Sequence, residues 1–109
     1  MTEKPLDIDV AMLSASFDAR PGAEDQLAAT LARYVVMTRH EPGCRNVDLV
    51  VSVTSSGRFL VVQKWESEAL ARAHLDSEAM TAMARDVVPL LRDKPVLDHY
   101  DTISAHDLA

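Results

Sequence analysis

The stretch "FLVVQKWESEALARAH", Phe59–His74, decides the fold. It opens on an apolar, β-favouring run that ends at Trp65, the one tryptophan. Beyond Trp65 the period changes from two to that of a helix, and His74 arrives about two turns later. A strand that passes straight into a helix, with an indole at the junction and an imidazole down the helix, is read either as a reacting site or as strand–helix packing.

Working outward, "NVDLVVSV" (46–53) reads as a strand, "TSSG" as a turn, and "RFLVVQKW" (58–65) as the antiparallel return. Upstream, Ala23–His40 has helical period, with Leu27, Leu31, Tyr34 or Val35, and Thr38 in one stripe. Glu24 and Asp25 suit its positive end, and "EPGC" (41–44) stops it, since Pro42 disfavours helix at Glu41 and Gly43 permits an unusual turn. Before it, "IDVAMLSASF" (8–17) reads as a strand with Ile8, Val10 and Met12 on one face and Ala11, Leu13, Ala15 and Phe17 on the other; "DARPG" ends it. Downstream, Ser67 or Glu68 opens a second helical region. Ser77 with Glu78 looks like a restart, which predicts a break near His74–Asp76. Met80, Met83, Val87, Leu90 and Leu91 continue an apolar stripe that Pro89 bends or ends. "PVLDHYDTIS" (95–104) is a last strand, residues 1–6 are a loose terminus, and "AHDLA" is a tail.

The order β-α-β-β-α-β predicts an α+β, ferredoxin-like domain: a four-stranded antiparallel sheet with both helices on one face. One domain fills residues 1–109, with its core over about 8–104. The strands carry aliphatics on both faces: Phe59 and Val61 oppose Leu60 and Val62, while Val47, Leu49, Val51 and Val53 oppose Val50. Two helices cover one face only, so the expected remedy is a homodimer packed sheet to sheet; a helix or tail folded over the open face is the alternative.

The net charge of −6 argues against nucleic acid or an anionic membrane surface as partner. No apolar stretch is long enough to span a bilayer, and "MTEKPLDID" lacks a signal-peptide apolar core, so a cytoplasmic protein is expected. Cys44 is the one cysteine and has no internal partner, which agrees with a reducing compartment.

The segments "RPGAEDQLAATL", "EPGC" followed by an aliphatic strand, and above all "KWESEALARAH" within "FLVVQKWESEALARAHLDSEAM" resemble the antibiotic biosynthesis monooxygenase domain, a dimeric α/β-barrel family, from about Met12 to Tyr100. The resemblance implies a ferredoxin-like protomer that pairs through its sheet and keeps a pocket between sheet and helices. It also implies, for some relatives, oxidation of aromatic polyketides or quinols by O₂ with no cofactor, and for others haem degradation, isomerisation of small phosphorylated signals or no known activity.

On that basis Trp65 and His74 are the candidate catalytic residues. Trp65 would line the pocket and hold a ring oxygen through its indole N–H; alternatively it plugs the sheet–helix core. His74 would act as base or orient a carbonyl; alternatively it is hydrogen-bonded at the helix break. Ser14, Met80, Met83, Val87 and Tyr100 are the candidate substrate-binding residues, the methionines because thioethers adapt to flat rings, although core packing explains Met80, Met83 and Val87 equally well. The polyketide oxygenases carry an Asn before the Trp and a Tyr after it, where this chain has Val61, Val62 and Gln63, and Ala71. The haem degraders use a first-strand Asn, a helix Trp and a ligand His, where this chain has Ser14 or Ala15, His74 and a position near Met83. The expectation is therefore a monooxygenase acting on a small quinol or polycyclic phenol, with no cofactor and no metal. Its alternatives are a non-catalytic barrel that binds an aromatic metabolite and a haem-binding or haem-degrading protein. His99 and Asp101 share a strand face but lack a third ligand in view for a metal.

Overall fold

The structure, a computed structural model, describes residues 10–103. The loose 1–6 terminus, Ile8, Ser104 and the "AHDLA" tail lie outside the described residues. The elements are β1 (Ala11–Asp18), α1 (Glu24–Thr38), β2 (Cys44–Val51), β3 (Arg58–Trp65), α2 (Glu68–Leu75), α3 (Glu78–Val87), a 3₁₀ turn over Val88–Leu90, and β4 (Val96–Asp101). The sheet order is β2-β3-β1-β4 and each neighbouring pair is antiparallel. This is the expected ferredoxin-like α+β fold, with the second helical region divided in two.

The division falls where the sequence places it, for a local reason. Ser67 caps α2 by accepting from the Leu70 backbone N–H at 3.1 Å. Ser77 caps α3 by accepting from the Met80 N–H, also at 3.1 Å. Each hydroxyl satisfies one amide that a helix start leaves without a partner, so a second serine cap starts a second helix rather than extending the first.

Some boundaries differ from expectation. β2 starts and stops two residues earlier than the predicted 46–53. The Ser52 hydroxyl accepts from the N–H groups of Thr54 and Ser55 at 3.1 and 2.9 Å, and this side-chain turn ends the ladder. Val53, expected on the strand face, is therefore 96% exposed in the loop. α1 ends at Thr38, not His40. Arg39 leaves the helix and donates twice to the Val47 carbonyl, at 3.2 and 3.0 Å, fastening the helix end to β2. β4 occupies only Val96–Asp101 of the predicted 95–104.

Alternation sorts the two sheet faces. Ala11, Leu13, Ala15 and Phe17 of β1 and Phe59, Val61, Gln63 and Trp65 of β3 are buried beneath the helices. Leu27, Leu31, Tyr34 and Val35 of α1 and Met83 and Val87 of α3 complete the larger core. Ala11, Leu13, Trp65 and Ala71 form a smaller one beneath α2. Each fully buried aliphatic or aromatic side chain contributes about 1.5–3 kcal/mol. The other face carries Met12, Ser14 and Ser16, with Leu60 and Val62 beside them and Val96 and Tyr100 across the β4 ladder. No helix among the described residues covers it, and Val50, Val96 and Tyr100 are about half exposed. No described helix is long and apolar enough to cross a membrane.

Gly43 joins α1 to this sheet. Its φ is +87°, a conformation that side-chain-bearing residues avoid, and a Cβ there would lie 2.5 Å from Leu70 Cδ1. Its carbonyl also accepts from the Glu66 N–H at 2.8 Å. Gly43→Ala is expected to cost more than about 1 kcal/mol in urea unfolding, through backbone strain and displacement of Leu70. An unchanged midpoint would mean that the turn has no such constraint.

Candidate functional site

Four elements deliver one polar cluster into the apolar layer between sheet and helices. Period-two alternation along β3 turns Gln63 and Trp65 inward with Val61. The α1 stripe carries Tyr34 one turn before the helix end, next to Thr38. The turn after α1, pinned by Arg39, places Glu41. The last turn of α2 places His74. Trp65 is 1% exposed and His74 2%.

The hydrogen bonds run in one direction, and one donor fixes them all. An indole N–H only donates. Trp65 Nε1 donates to Gln63 Oε1 at 2.8 Å, so the Gln63 amide presents its NH₂ to the other side. Gln63 Nε2 donates to the Tyr34 hydroxyl oxygen at 2.7 Å. The Tyr34 proton is then directed to His74 Nε2 at 2.5 Å; Met80 Sδ, at 3.6 Å, is the weaker alternative acceptor. His74 Nε2 accepts, so the ring proton sits on Nδ1, which faces Glu41 Oε1 at 2.8 Å. Ser77 Oγ stands 3.4 Å from the same nitrogen. The chain Trp65→Gln63→Tyr34→His74→Glu41 satisfies every buried polar atom along it and ends on a carboxylate whose side chain is 25% exposed.

Ring packing reinforces this order. The His74 imidazole stacks on the Trp65 indole, with centroids 4.7 Å apart and planes 30° from parallel. Tyr34 meets the same imidazole at 5.7 Å, tilted by 41°. Burial, partly offset by the Gln63 hydrogen bond, pushes the Tyr34 hydroxyl up to about 12. Burial and then the charge of Glu41 push the Cys44 thiol up as well, so Cys44 is a poor thiolate source.

The structure brings together Trp65, His74 and Met80, which touch through Tyr34. Met83 and Val87 sit in the larger core, on the same side of the sheet. Ser14 and Tyr100 do not join them. Their strand parity, Ser14 opposite Val62 and Tyr100 opposite Met12, puts both on the uncovered face. There they line an apolar groove of about 400 Å³ with Met12, Val62 and Ile103. A second groove, about 630 Å³, lies on the helix side between the start of α2 and β4. Ala11 forms its floor, with Ser67, Glu68, Arg72, His99 and Asp101 around it. Ala11 pairs with Trp65 across the ladder and packs in the same small core, so the indole lies beside this floor, one strand further from the groove. Tyr100 reaches this groove too, from the edge strand. Arg72 is held by Glu68 at 3.0 Å, one turn away on α2. His99 and Asp101 gain no third partner: among the described residues no group of three or more His, Cys, Asp or Glu is arranged to hold a metal.

Three members of the cluster have roles that sequence reading did not assign: Gln63, Tyr34 and Glu41. Gln63 carried a signal, a polar residue at core parity between Val61 and Trp65. Tyr34 lay on the α1 stripe but was indistinguishable from a packing residue. Glu41 had no local signal, because its partner His74 is 33 residues away.

The sequence model of the antibiotic biosynthesis monooxygenase family matches residues 11–86. Among solved structures, a Shewanella oneidensis protein is 27% identical with a TM-score of 0.80, over 88% of this chain and 93% of that one. Rv0793 of Mycobacterium tuberculosis is 24% identical with a TM-score of 0.82, over 90% and 99%. A Nitrosomonas europaea protein shares the fold at a TM-score of 0.83 with only 12% identity, over 93% and 97%. None of the curated proteins matches the sequence significantly.

The buried phenol has a measurable consequence. Its folded-state value lies above the ordinary value of 10.0, so its contribution to stability is complete below pH 10.0 and is lost as the pH rises through about 12. The loss amounts to at most about 3 kcal/mol and should be absent in Tyr34→Phe. In Tyr100→Phe, where Tyr34 is the sole tyrosine, phenolate absorbance should rise only as the pH approaches about 12. A midpoint near 10 would show that the hydroxyl is not sealed.

Proposed function

The chain belongs to the antibiotic biosynthesis monooxygenase family, and on that premise we propose that it oxygenates a small quinol or polycyclic phenol with O₂ and without a cofactor. One observation carries the reading: the stacked Trp65–His74 pair, its polar atoms all partnered, adjoins the helix-side groove of about 630 Å³ through Ala11, the ladder neighbour of Trp65 that forms the groove floor. That volume suits a ligand of two or three rings. The small side chain of Ala11 leaves a flat floor, and Ser67, Arg72 and His99 offer partners for ring oxygens. The Arg72 guanidinium, held by Glu68, is the cationic group beside the floor, and the Glu68 and Asp101 carboxylates share the same wall.

The chemistry is balanced by substrate and O₂ alone. At a ring methylene beside the phenol, two C–H bonds break and a carbonyl forms with one oxygen atom. The other oxygen leaves as water, and the carbon supplies all four electrons. The protein's part is to favour the anion that passes the first electron to O₂ and to keep bulk water from the ring.

A second reading, a non-catalytic barrel for an aromatic metabolite, is favoured by the near-complete burial of Trp65 and His74, which lets a guest touch the groove floor and not the rings. Haem ligation by His74 is disfavoured, since Nε2 is held by Tyr34 and Nδ1 by Glu41.

With candidate quinols in an oxygen electrode, the protein is expected to raise O₂ uptake, and Trp65→Phe and His74→Ala to reduce it by about a hundredfold. Uptake that no quinol stimulates, together with saturable quenching of the single tryptophan, would replace the oxygenase reading with the binding one.

The uncovered sheet face supports a homodimer as the working unit. Met12, Leu60, Val62, Val50 and Val96 would be buried against the same residues of a second copy. Sedimentation should give twice the monomer mass, and Val62→Asp should halve it. A wild-type monomer at micromolar concentration would sink the assembly.

A further inference from the structure

We propose that Tyr34, His74 and Glu41 form a proton relay between a sealed hydroxyl and solvent, with Glu41 the positioning residue that sets the His74 tautomer. The three groups come from α1, the turn after it and α2. They are joined by two short hydrogen bonds, Tyr34 Oη to His74 Nε2 at 2.5 Å and His74 Nδ1 to Glu41 Oε1 at 2.8 Å.

Polarity is the first argument. Because Trp65 and Gln63 together commit one lone pair of the Tyr34 oxygen to accepting, its own proton points at His74. Transfer then proceeds without rearrangement. The Tyr34 O–H bond breaks and the His74 Nε2–H bond forms; the Nδ1 proton moves to the Glu41 carboxylate, which delivers it to water. The reverse sequence returns a proton to Tyr34. No electron moves and no co-reactant is consumed.

Placement is the second argument. Only the last member reaches solvent, and the first is almost fully buried. The charged and titratable groups facing the Tyr34 hydroxyl are Glu41 from the turn, Cys44 from β2 and His74 from α2. None of them is a lysine or arginine that would hold a phenolate. The hydroxyl is therefore kept protonated, and the relay works inward, as a supply line to a donor.

At the inner end, the hydroxyl's remaining partner is Met80 Sδ, a long contact on a flexible side chain. A small acceptor oxygen that displaced the sulfur would find the Tyr34 hydroxyl as its donor. In the monooxygenase reading that acceptor is the O₂-derived oxygen that becomes water. This last assignment rests on that reading; the relay itself does not.

The test needs no substrate, so it stands or falls separately from the oxygenase reading. In the ¹⁵N-labelled intact protein, His74 should carry its proton on Nδ1, with Nε2 showing the shift of an unprotonated acceptor. An Nε2–H tautomer overturns the relay. Exchange of the Tyr34 hydroxyl proton with water is the second readout. Glu41→Gln should slow it at least about tenfold and Glu41→Asp should restore most of the rate. An unchanged rate in Glu41→Gln, in a protein whose amide spectrum is otherwise preserved, also overturns it. Should Glu41→Gln fail to fold, the wild-type tautomer still decides.

Discussion

A buried indole N–H has no choice of role, and the interior of this domain is organised around that restriction. Trp65 fills the junction between β3 and α2 and has to be given an acceptor there, since leaving its N–H unsatisfied costs about 1–3 kcal/mol. Gln63, two residues earlier on the same strand face, supplies one. Importing a glutamine creates a new debt, because its NH₂ also needs a partner in an apolar layer. Tyr34 accepts from it, His74 accepts from Tyr34, and Glu41 accepts from His74. The sequence of partners ends only when it reaches a carboxylate in contact with water. A single apolar substitution at Trp65 would remove the reason for the other four.

The same strand parity separates two faces, one buried beneath the helices and one uncovered. Residues paired across an antiparallel ladder share a face, so Trp65, Ala11 and Gln63 are held beneath the helices while Tyr100, Met12 and Val62 face away. β4 is the exception to this tidy division. It lies at the sheet edge, beyond the reach of α2, and all six of its residues are exposed. The space over its inner side is the helix-side groove. The groove thus exists because two helical segments do not cover four strands, and its floor is Ala11 because that residue stands on the last strand the helices do cover.

Much of this was legible in the residues. The hairpin of β2 and β3, the α1 stripe and the serine restart at Ser77 all follow local rules that a short window contains. Trp65 and His74 were likewise identifiable, one as the sole indole on a core-facing strand position and the other by its place two turns into the helix. The grouping of Ser14 and Tyr100 with them had no such support, and parity would have divided them: Ser14 alternates with the buried Leu13 and Ala15, and Tyr100 with His99 and Asp101. Glu41 was out of reach for a different reason. Its contact with His74 depends on where the α1–β2 turn lies relative to α2, which is a product of the Arg39 bonds to Val47 and the left-handed backbone at Gly43. No periodicity in one segment encodes a contact between two others.

The break between α2 and α3 then acquires a chemical meaning. An α-helix turns by about 100° per residue, so on one continuous helix His74 and Met80, six residues apart, would project about 120° from each other. They could not both meet the same phenol. With the chain reset by the Ser77 cap, His74 Nε2 and Met80 Sδ approach the Tyr34 hydroxyl from two separate helices. One is a strong acceptor fixed by Glu41, and the other a weak acceptor on a mobile stem. A donor given one firm and one replaceable partner is held in place at rest and free to engage a better acceptor where the sulfur stands. A serine at the start of a helix, ordinarily a matter of local stability, is in this way what lets two acceptors from different helices reach one buried hydroxyl.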